Sequence, residues 1–295
     1  MSTTSTGSSS RRNAAPNAIP TRPEEIAAAL ERLAIRPARR WGQSFLTDPF
    51  VADAEAALAA TPDPGPAIEI GGGLGLLTDA LLRRGIGPLT VVERDPRLVV
   101  HLRRTFGARI EVVGADALTW PIPPGVPVVA NLPFSTATPI LRRLWDARVP
   151  RIVAMVQREV AERIAAGPGS KRFGRLSIAA ALYGSTELFQ AVPSAAFRPV
   201  PEVEGRILVH TARPGPLPVE DPAGLEAIVR TLFGSRRKKL GNLLVRLARS
   251  RADADRWAEE AGWPSDWSER RPEELAPEQY FALARAKAPR AVRTS

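Results

Sequence analysis

"AIEIGGGLGLLTDALLRR", residues 67 to 84, decides how the rest of the chain is read. "AIEI" has strand character, three consecutive glycines follow, and "LLTDALLRR" begins a helical pattern at once. A strand that passes through glycine into a helix is the opening of a strand–helix–strand unit. Gly71, Gly73 and Gly75 form a G-x-G-x-G turn. Glycine at such a turn permits positive φ and lets a ligand approach the main chain, and the helix N-terminus beyond favours electron-rich groups.

Outward from this turn the same alternation repeats. "LTVVE" (89–93) reads as strand, "PRLVVHLRRTF" as helix, "RIEVVGAD" (109–116) and "VPVVA" (126–130) as strands, "TPILRRLWDA" as helix and "RIVAMVQ" (151–157) as strand. The expected fold class is therefore α/β, a doubly wound, Rossmann-like parallel sheet covered on both faces. Upstream, "PEEIAAALERLAI" (23–35) reads as a helix entered at Pro23, and "VADAEAALAA" as another that stops at "TPDPGP". Beyond about residue 205 the pattern turns helical, with "GLEAIVRTLFGSRRKKLGNLLVRLARS", "DADRWAEEAG" and "APEQYFALARA". The expected organisation is a disordered basic arm over 1–22, a sheet domain over 23–205 and a smaller helical domain over 206–295 that ends in a basic tail.

A dinucleotide turn would carry G-x-G-x-x-G, and the last position of that pattern is Leu76 here. The spacing leans toward a mononucleoside-type ligand such as S-adenosylmethionine. Glu93 ends the second strand, where a carboxylate can accept both hydroxyls of a ribose. Asp116 ends the third, where a carboxylate can accept from an adenine amino group. Asn131 ends the fourth. Four candidate ligand groups at successive strand ends mark the rim where open α/β sheets bind ligands.

At that fourth strand end stands "VVANLPFSTATPIL", residues 128 to 141. Asn131, Leu132, Pro133 and Phe134 are poor material for strand or helix, and their chemistry suits an exocyclic amine. Such an amine is a weak nucleophile because its lone pair is delocalised into the ring. The Asn131 side-chain oxygen and a main-chain carbonyl beside Pro133 can accept both of its N–H groups and localise that pair. Proline fixes the turn and brings no competing N–H. Phe134 offers a face for an extruded base, worth about 1–3 kcal/mol.

Composition sets the limits. The chain has 295 residues and a formal charge of +10, concentrated at its two ends: residues 1–40 hold seven Lys/Arg against three Asp/Glu, and residues 206–295 hold seventeen against twelve. Basic ends flanking a nearly balanced middle suit a polyanionic partner. The absence of cysteine excludes disulfides, thiolate zinc sites and cysteine nucleophiles. Two histidines are too few for a histidine-rich metal site, so no metal is expected. No apolar run approaches the ~20 residues of a membrane span, and residues 1–22 lack the apolar core of a secretory signal. A cytoplasmic monomer is expected.

In order along the chain, "GQSFLTD", "EIGGGLGLLT", "VVERD", "GADAL", "ANLPFSTATPIL", "MVQREVAERIAAGPGSKRFGRLSI", "PSAAFRPVPEVEGRI" and "RRKKLGNLL" resemble the bacterial small-subunit ribosomal RNA adenine dimethyltransferases (the KsgA/RsmA group), over about residues 38 to 250. The resemblance implies methyl transfer from S-adenosylmethionine to two adjacent adenines near the 3′ end of the small-subunit RNA. It implies cofactor contacts from Ser44, Leu46, Gly71 and Gly73, with Glu93 at the ribose, Asp116 at the adenine and Asn131 beside the methyl. Asn131 to Phe134 would hold the target base, with Phe197 of "PSAAF" near it and Arg236, Arg237, Lys238 and Lys239 facing RNA. Three positions depart from the family pattern. Ser44 stands where Asn is usual, Phe134 where Tyr is usual, and "PEVEGRI" where "PKVDSAV" is usual. Phe134 keeps the stacking face, so activity is expected to survive. Two rivals share the fold: an Erm-type enzyme acting on large-subunit RNA and conferring macrolide-class resistance, and a ribosome-assembly factor without catalysis. "PGSKRFGRLSI" and "RRKKLGNLL" favour the small-subunit group over the first, and intact Gly71, Glu93, Asp116 and Asn131 argue against the second.

Overall fold

A computed structural model describes residues 19–36, 44–60 and 65–287. Most of the expected basic arm, the run 37–43 with the first residues of "GQSFL", residues 61–64 and those from 288 lie outside the described residues. Helix α1 (Pro23–Arg32) starts at a proline in its first turn, with Glu24 and Glu25 favouring the N-terminal end of the dipole. Strand β1 (Phe45–Leu46) is two residues long, and α2 (Pro49–Ala59) follows, its Asp48 side chain accepting from the Phe50 N–H at 2.9 Å. The alternation then unfolds as β2 (Ala67–Ile70), α3 (Leu76–Arg83), β3 (Leu89–Glu93), α4 (Pro96–Phe106), β4 (Ile110–Gly114), β5 (Val128–Asn131), α5 (Ala137–Asp146) and β6 (Arg151–Gln157). Helices α6 (Arg158–Ile164) and α7 (Arg175–Tyr183), the strands β7 (Gly184–Val192), β8 (Phe197–Arg198) and β9 (Gly205–Ala212), and helices α8 (Pro222–Phe233), α9 (Leu240–Ala248), α10 (Arg251–Glu260) and α11 (Pro277–Lys287) complete the order.

Seven strands form the main sheet in the order β4-β3-β2-β5-β6-β9-β7. The first five are parallel, β9 runs antiparallel to β6, and β7 runs antiparallel to β9. All four residues of β2 are buried, as expected for a central strand covered on both faces. From β2 the chain first builds outward through β3 and β4, then returns to β5 on the other side. The switch in direction therefore lies between β2 and β5, where open sheets leave a crevice.

Two expectations change. "GRILVHTA" (205–212) is a strand in the sheet between β6 and β7, so a boundary at 205/206 would cut the sheet. Its alternation was hidden because both of its faces are covered and four successive residues, Ile207 to His210, are buried. The C-terminal helices begin only at Pro222, and they share one apolar core with the sheet: Leu208 and Trp145 belong to the same cluster as Phe173, Phe233 and Tyr280. The "GLEAIV…LARS" segment is two helices, and Arg236 to Lys239 occupy the turn between them. Gly234 ends the first at Phe233, and Lys239 is the N-cap of the second.

Candidate active site

A cavity of about 660 Å³ opens at the C-terminal ends of the parallel strands. Ser44, Leu46, Gly71, Gly73, Glu93, Asp116 and Asn131 all line it. Gly71 has φ +81° and donates its N–H to the Val92 carbonyl at 2.8 Å, which turns the chain out of β2. A Cβ on Gly71 would stand 3.7 Å from the Asn131 carbonyl, so the loop crosses directly over the end of β5. Gly72, which the G-x-G-x-G pattern leaves free, has the tightest packing of the loop's glycines. A Cβ there would lie 2.5 Å from Val91 and 2.8 Å from Leu102. Nothing in the motif spacing singles it out, because the constraint comes from β3 and α4, later in the chain.

Glu93 is nearly buried. One carboxylate oxygen accepts the Gly73 N–H at 3.1 Å and the other the Asp95 N–H at 2.9 Å. Burial pushes its carboxyl up, and the N–H groups of Asp95, Gly73 and Arg94 act against that. Each oxygen keeps a lone pair beyond these bonds, which is what a vicinal diol needs. Asp116 accepts the Leu118 N–H at 2.9 Å and faces the Arg94 guanidinium at 3.2 Å. That ion pair fixes the carboxylate at the rim.

Sequence reasoning passed over two acids. Glu69, the one charged residue of β2, lines the cavity floor and is fully buried. One oxygen accepts the Thr78 hydroxyl at 2.7 Å, and the other has no partner. Burial raises its carboxyl to about 8, the Thr78 hydroxyl opposing and the neighbouring Glu93 adding to the rise. Glu55 on α2 lies behind it, fully buried and with neither oxygen in a well-formed hydrogen bond, and is pushed to about 8 by burial and then by Glu69, the Met155 main chain opposing. The signal was present in the sequence. An acid inside "AIEI" must be buried if both faces of that strand are covered, and Glu55 falls on the helical stripe of Val51, Ala52 and Ala56.

At the end of β5, the Leu132 N–H donates to the Met155 carbonyl at 3.1 Å, and the Leu132 side chain is buried in the core. The Pro133 carbonyl accepts the Thr136 N–H at 3.0 Å, the bond that starts the turn into α5. Of the two carbonyls beside the proline ring nitrogen, that of Leu132 is the one without a hydrogen-bond donor among the described residues. Asn131 and Pro133 border the cavity, and Asn131 is half-buried. A side-chain amide oxygen and a main-chain carbonyl one residue apart are thus available to a planar amine.

The family described as "Ribosomal RNA adenine dimethylase" matches residues 36–256. The chain belongs to that family. Among curated relatives, the "Ribosomal RNA small subunit methyltransferase A" of Synechococcus sp. (strain JA-3-3Ab) is 39% identical over 220 residues, covering 70% of this chain and 79% of its own. The "Probable ribosomal RNA small subunit methyltransferase A" of Methanopyrus kandleri is 36% identical and covers 89% of this chain and 96% of its own. Of the solved structures, the 23S rRNA methyltransferase ErmE has a TM-score of 0.64 at 27% identity, covering 82% of this chain and 98% of its own. A dimethyladenosine transferase from Plasmodium falciparum has a TM-score of 0.66 at 21% identity, covering 81% and 95%, and speaks for the fold alone.

Within this member of the family, the remaining expected positions divide. Phe134 is half-buried and meets Phe197 edge to face, with ring centroids 6.0 Å apart. Phe197 itself is 1% exposed. It can therefore brace Phe134 from behind, while its own ring is closed to a base. The link between these motifs is a small second sheet: β1 pairs antiparallel with β8, Phe45 opposite Arg198 and Leu46 opposite Phe197. The "SFL" and "AAF" segments are thereby one structure. Of the basic run, Arg236 donates to the Lys171 carbonyl at 3.0 Å, and Lys239 pairs with Glu269. Arg237 and Lys238 are exposed and have no ion-pair partner among the described residues. The departing "PEVEGRI" segment is spent internally. Glu204 pairs with Arg158 at 2.8 Å, and Arg206 donates to the Phe189 carbonyl at 3.0 Å and faces Glu162 at 3.6 Å.

Proposed function

We propose that the protein transfers methyl groups from S-adenosylmethionine to N6 of two adjacent adenines near the 3′ end of small-subunit ribosomal RNA. The observation that carries this reading is the shared cavity: Asn131, and Pro133 next to the free Leu132 carbonyl, border the same space as Glu93 and Asp116. The donors and acceptors fit an S-adenosylmethionine molecule. Glu93 suits the ribose diol, Asp116 the adenine amine, and the unpartnered Glu69 oxygen the ammonium of the methionine portion. When bound, the cofactor supplies an electrophilic sulfonium methyl.

The chain's own residues orient the target. Asn131 Oδ1 and the Leu132 carbonyl accept the two N6 hydrogens, which turns the nitrogen lone pair out of the ring plane and toward the cofactor side. Phe134 stacks on the extruded base, braced by Phe197. Positioning and fixed dipoles carry most of the acceleration. N6 becomes acidic only as it is alkylated, so no strong general base is required, and its proton can pass to water. All the expected cavity residues come from one chain, in keeping with a monomer as the working unit. Among the described residues no helix is long and apolar enough to cross a membrane.

The curated relatives carry small-subunit names at 36–39% identity, whereas the large-subunit structural neighbour is 27% identical. The test is transfer of labelled methyl to unmethylated small and large ribosomal subunits side by side, with the modified base mapped. Label on adjacent adenines near the small-subunit 3′ end is expected. Label on the large subunit alone would make this a resistance-type enzyme, and no label on either would leave a non-catalytic assembly factor.

A further inference from the structure

A second cavity, about 440 Å³, lies on the opposite side of α5 from the first. Thr136 and Ile140 face the cofactor cavity, whereas Thr138, Pro139, Arg142 and Trp145 line the second. One helix is thus the common wall, and the two spaces lie about one helix diameter apart, on the order of 10–12 Å. Each of three helices gives the second cavity a single stripe at helical spacing. They are 138, 139, 142 and 145 of α5; 175, 176, 178, 179 and 182 of α7; and 222, 225, 226 and 229 of α8. Such a stripe is normally filled by a neighbouring helix. Here the three stripes converge on open space.

The lining has two parts. The floor is apolar: Leu176 and Ala179 are half-buried at its surface, and the buried Trp145 and Leu225 lie beneath them. The rim carries three arginines, Arg142, Arg163 and Arg175, against one acid, Glu226. Arg142 is held by Glu226 at 2.9 Å and by Asp146 at 3.4 Å. Arg163 and Arg175 are exposed and have no acidic partner among the described residues. An apolar slot with unpaired guanidinium groups at its lip matches a nucleotide, whose base is planar and whose phosphate is anionic. The volume falls in the ordinary range for small-ligand sites, about 300–1,000 Å³.

We propose that this groove is a second nucleotide subsite, which takes an unpaired nucleotide near the target adenine in the same RNA strand. The base enters the slot over Ala179 and Leu176, and the phosphate meets Arg163 and Arg175. Holding a neighbour on the far side of α5 pulls the strand taut across Phe134 and favours extrusion of the target base. This inference rests on the RNA substrate proposed above, and adds a place for a nucleotide that the catalytic rim does not contact.

The test uses the full chain and unmethylated small subunits. Ala179→Phe fills the slot without changing any charge, and Arg175→Glu reverses the lip. Ala179→Phe should raise KM for the subunit about tenfold, as expected when the slot is closed to the base and its apolar contact is lost, and leave the Kd for S-adenosylmethionine unchanged. Arg175→Glu should raise KM further at low salt and less at high salt. A wild-type KM in Ala179→Phe would overturn the subsite. Should that variant fold poorly, ultraviolet crosslinking of the wild-type protein to the subunit decides instead. A nucleotide adduct within 175–182 or 138–145 supports the proposal. Adducts confined to other segments, or a ribosomal protein crosslinked at this groove, overturn it. Failure of the wild-type protein to methylate either subunit would instead overturn the proposed function.

Discussion

Under the proposed function, the cofactor rim and the basic face solve two recognition problems in opposite ways. At the rim, specificity is built from main chain and buried carboxylates: a loop with positive φ at Gly71, Gly73 and Gly75, and Glu93 held by two N–H groups. Each group is held in place by the main chain around it. On the C-terminal side, the working groups are long, exposed guanidinium and ammonium side chains, and what matters is which of them the fold leaves over. Arg236, Lys239 and Arg206 are taken up internally, and Arg237, Lys238, Arg163 and Arg175 are not. A small, chemically exact cofactor rewards rigid placement, whereas a long polyanion rewards charge that is free to adjust.

This contrast predicts sharp, separable effects at the rim and shallow, salt-dependent ones elsewhere. Asn131→Ala should cut the rate of methyl transfer by at least about 10²–10³-fold, the loss typical of a removed preorganised contact. Calorimetry should find its cofactor affinity within about threefold of wild type, since Glu93 and the loop are intact. Full activity in that variant would break the base-holding role. Glu93→Gln should act on the other half of the site, weakening S-adenosylmethionine binding by about 10- to 100-fold, as for a lost charge-assisted hydrogen bond. If its Kd were unchanged while the rate fell, the halves would not be separable as described.

A third effect comes from beneath the rim. In the folded protein the carboxyl of Glu55 sits near 8, above its ordinary value of 4.5. The folded state therefore holds a proton that the unfolded state releases. The stability this gives is complete below about pH 4.5, and is lost as the pH rises through about 8. Glu55→Leu removes a buried acid with no well-formed hydrogen bond, and should stabilise the protein at pH 9 by on the order of 2 kcal/mol. Thermal melts from pH 5 to 9 should fall more steeply for wild type than for the variant; parallel slopes would show that Glu55 does not titrate there. The mildest effect belongs to the basic turn. Replacing Arg237 and Lys238 by Ala should raise KM for the subunit a few-fold and reduce the salt slope of binding by about two, one for each lost phosphate contact.

How much of this could be read from the sequence follows the same division. The rim was legible because each part is tied to a strand end: β3 and α4 have the bounds expected from "LTVVE" and "PRLVVHLRRTF", and all seven expected cofactor residues border one cavity. The antiparallel strand 205–212 was not, because two-sided burial erases the alternation that marks a strand. Gly72 escaped notice because its constraint is contact with Leu102, thirty residues away in the chain. The pairing of Leu46 with Phe197 also depends on tertiary contact alone. On the basic face, "RRKK" looked like four equal cations, and only the positions of Lys171, Glu269 and Glu273 separate the two that are bound from the two that are free.

The measurement that tests the account most directly is a crystal structure of the protein with S-adenosylhomocysteine. The account predicts both ribose hydroxyls within hydrogen-bonding distance of Glu93, the adenine edge at Asp116, the ammonium at Glu69, and the sulfur facing Asn131. A nucleoside lying elsewhere in the cavity, or reversed so that its sulfur points away from Asn131, would contradict it.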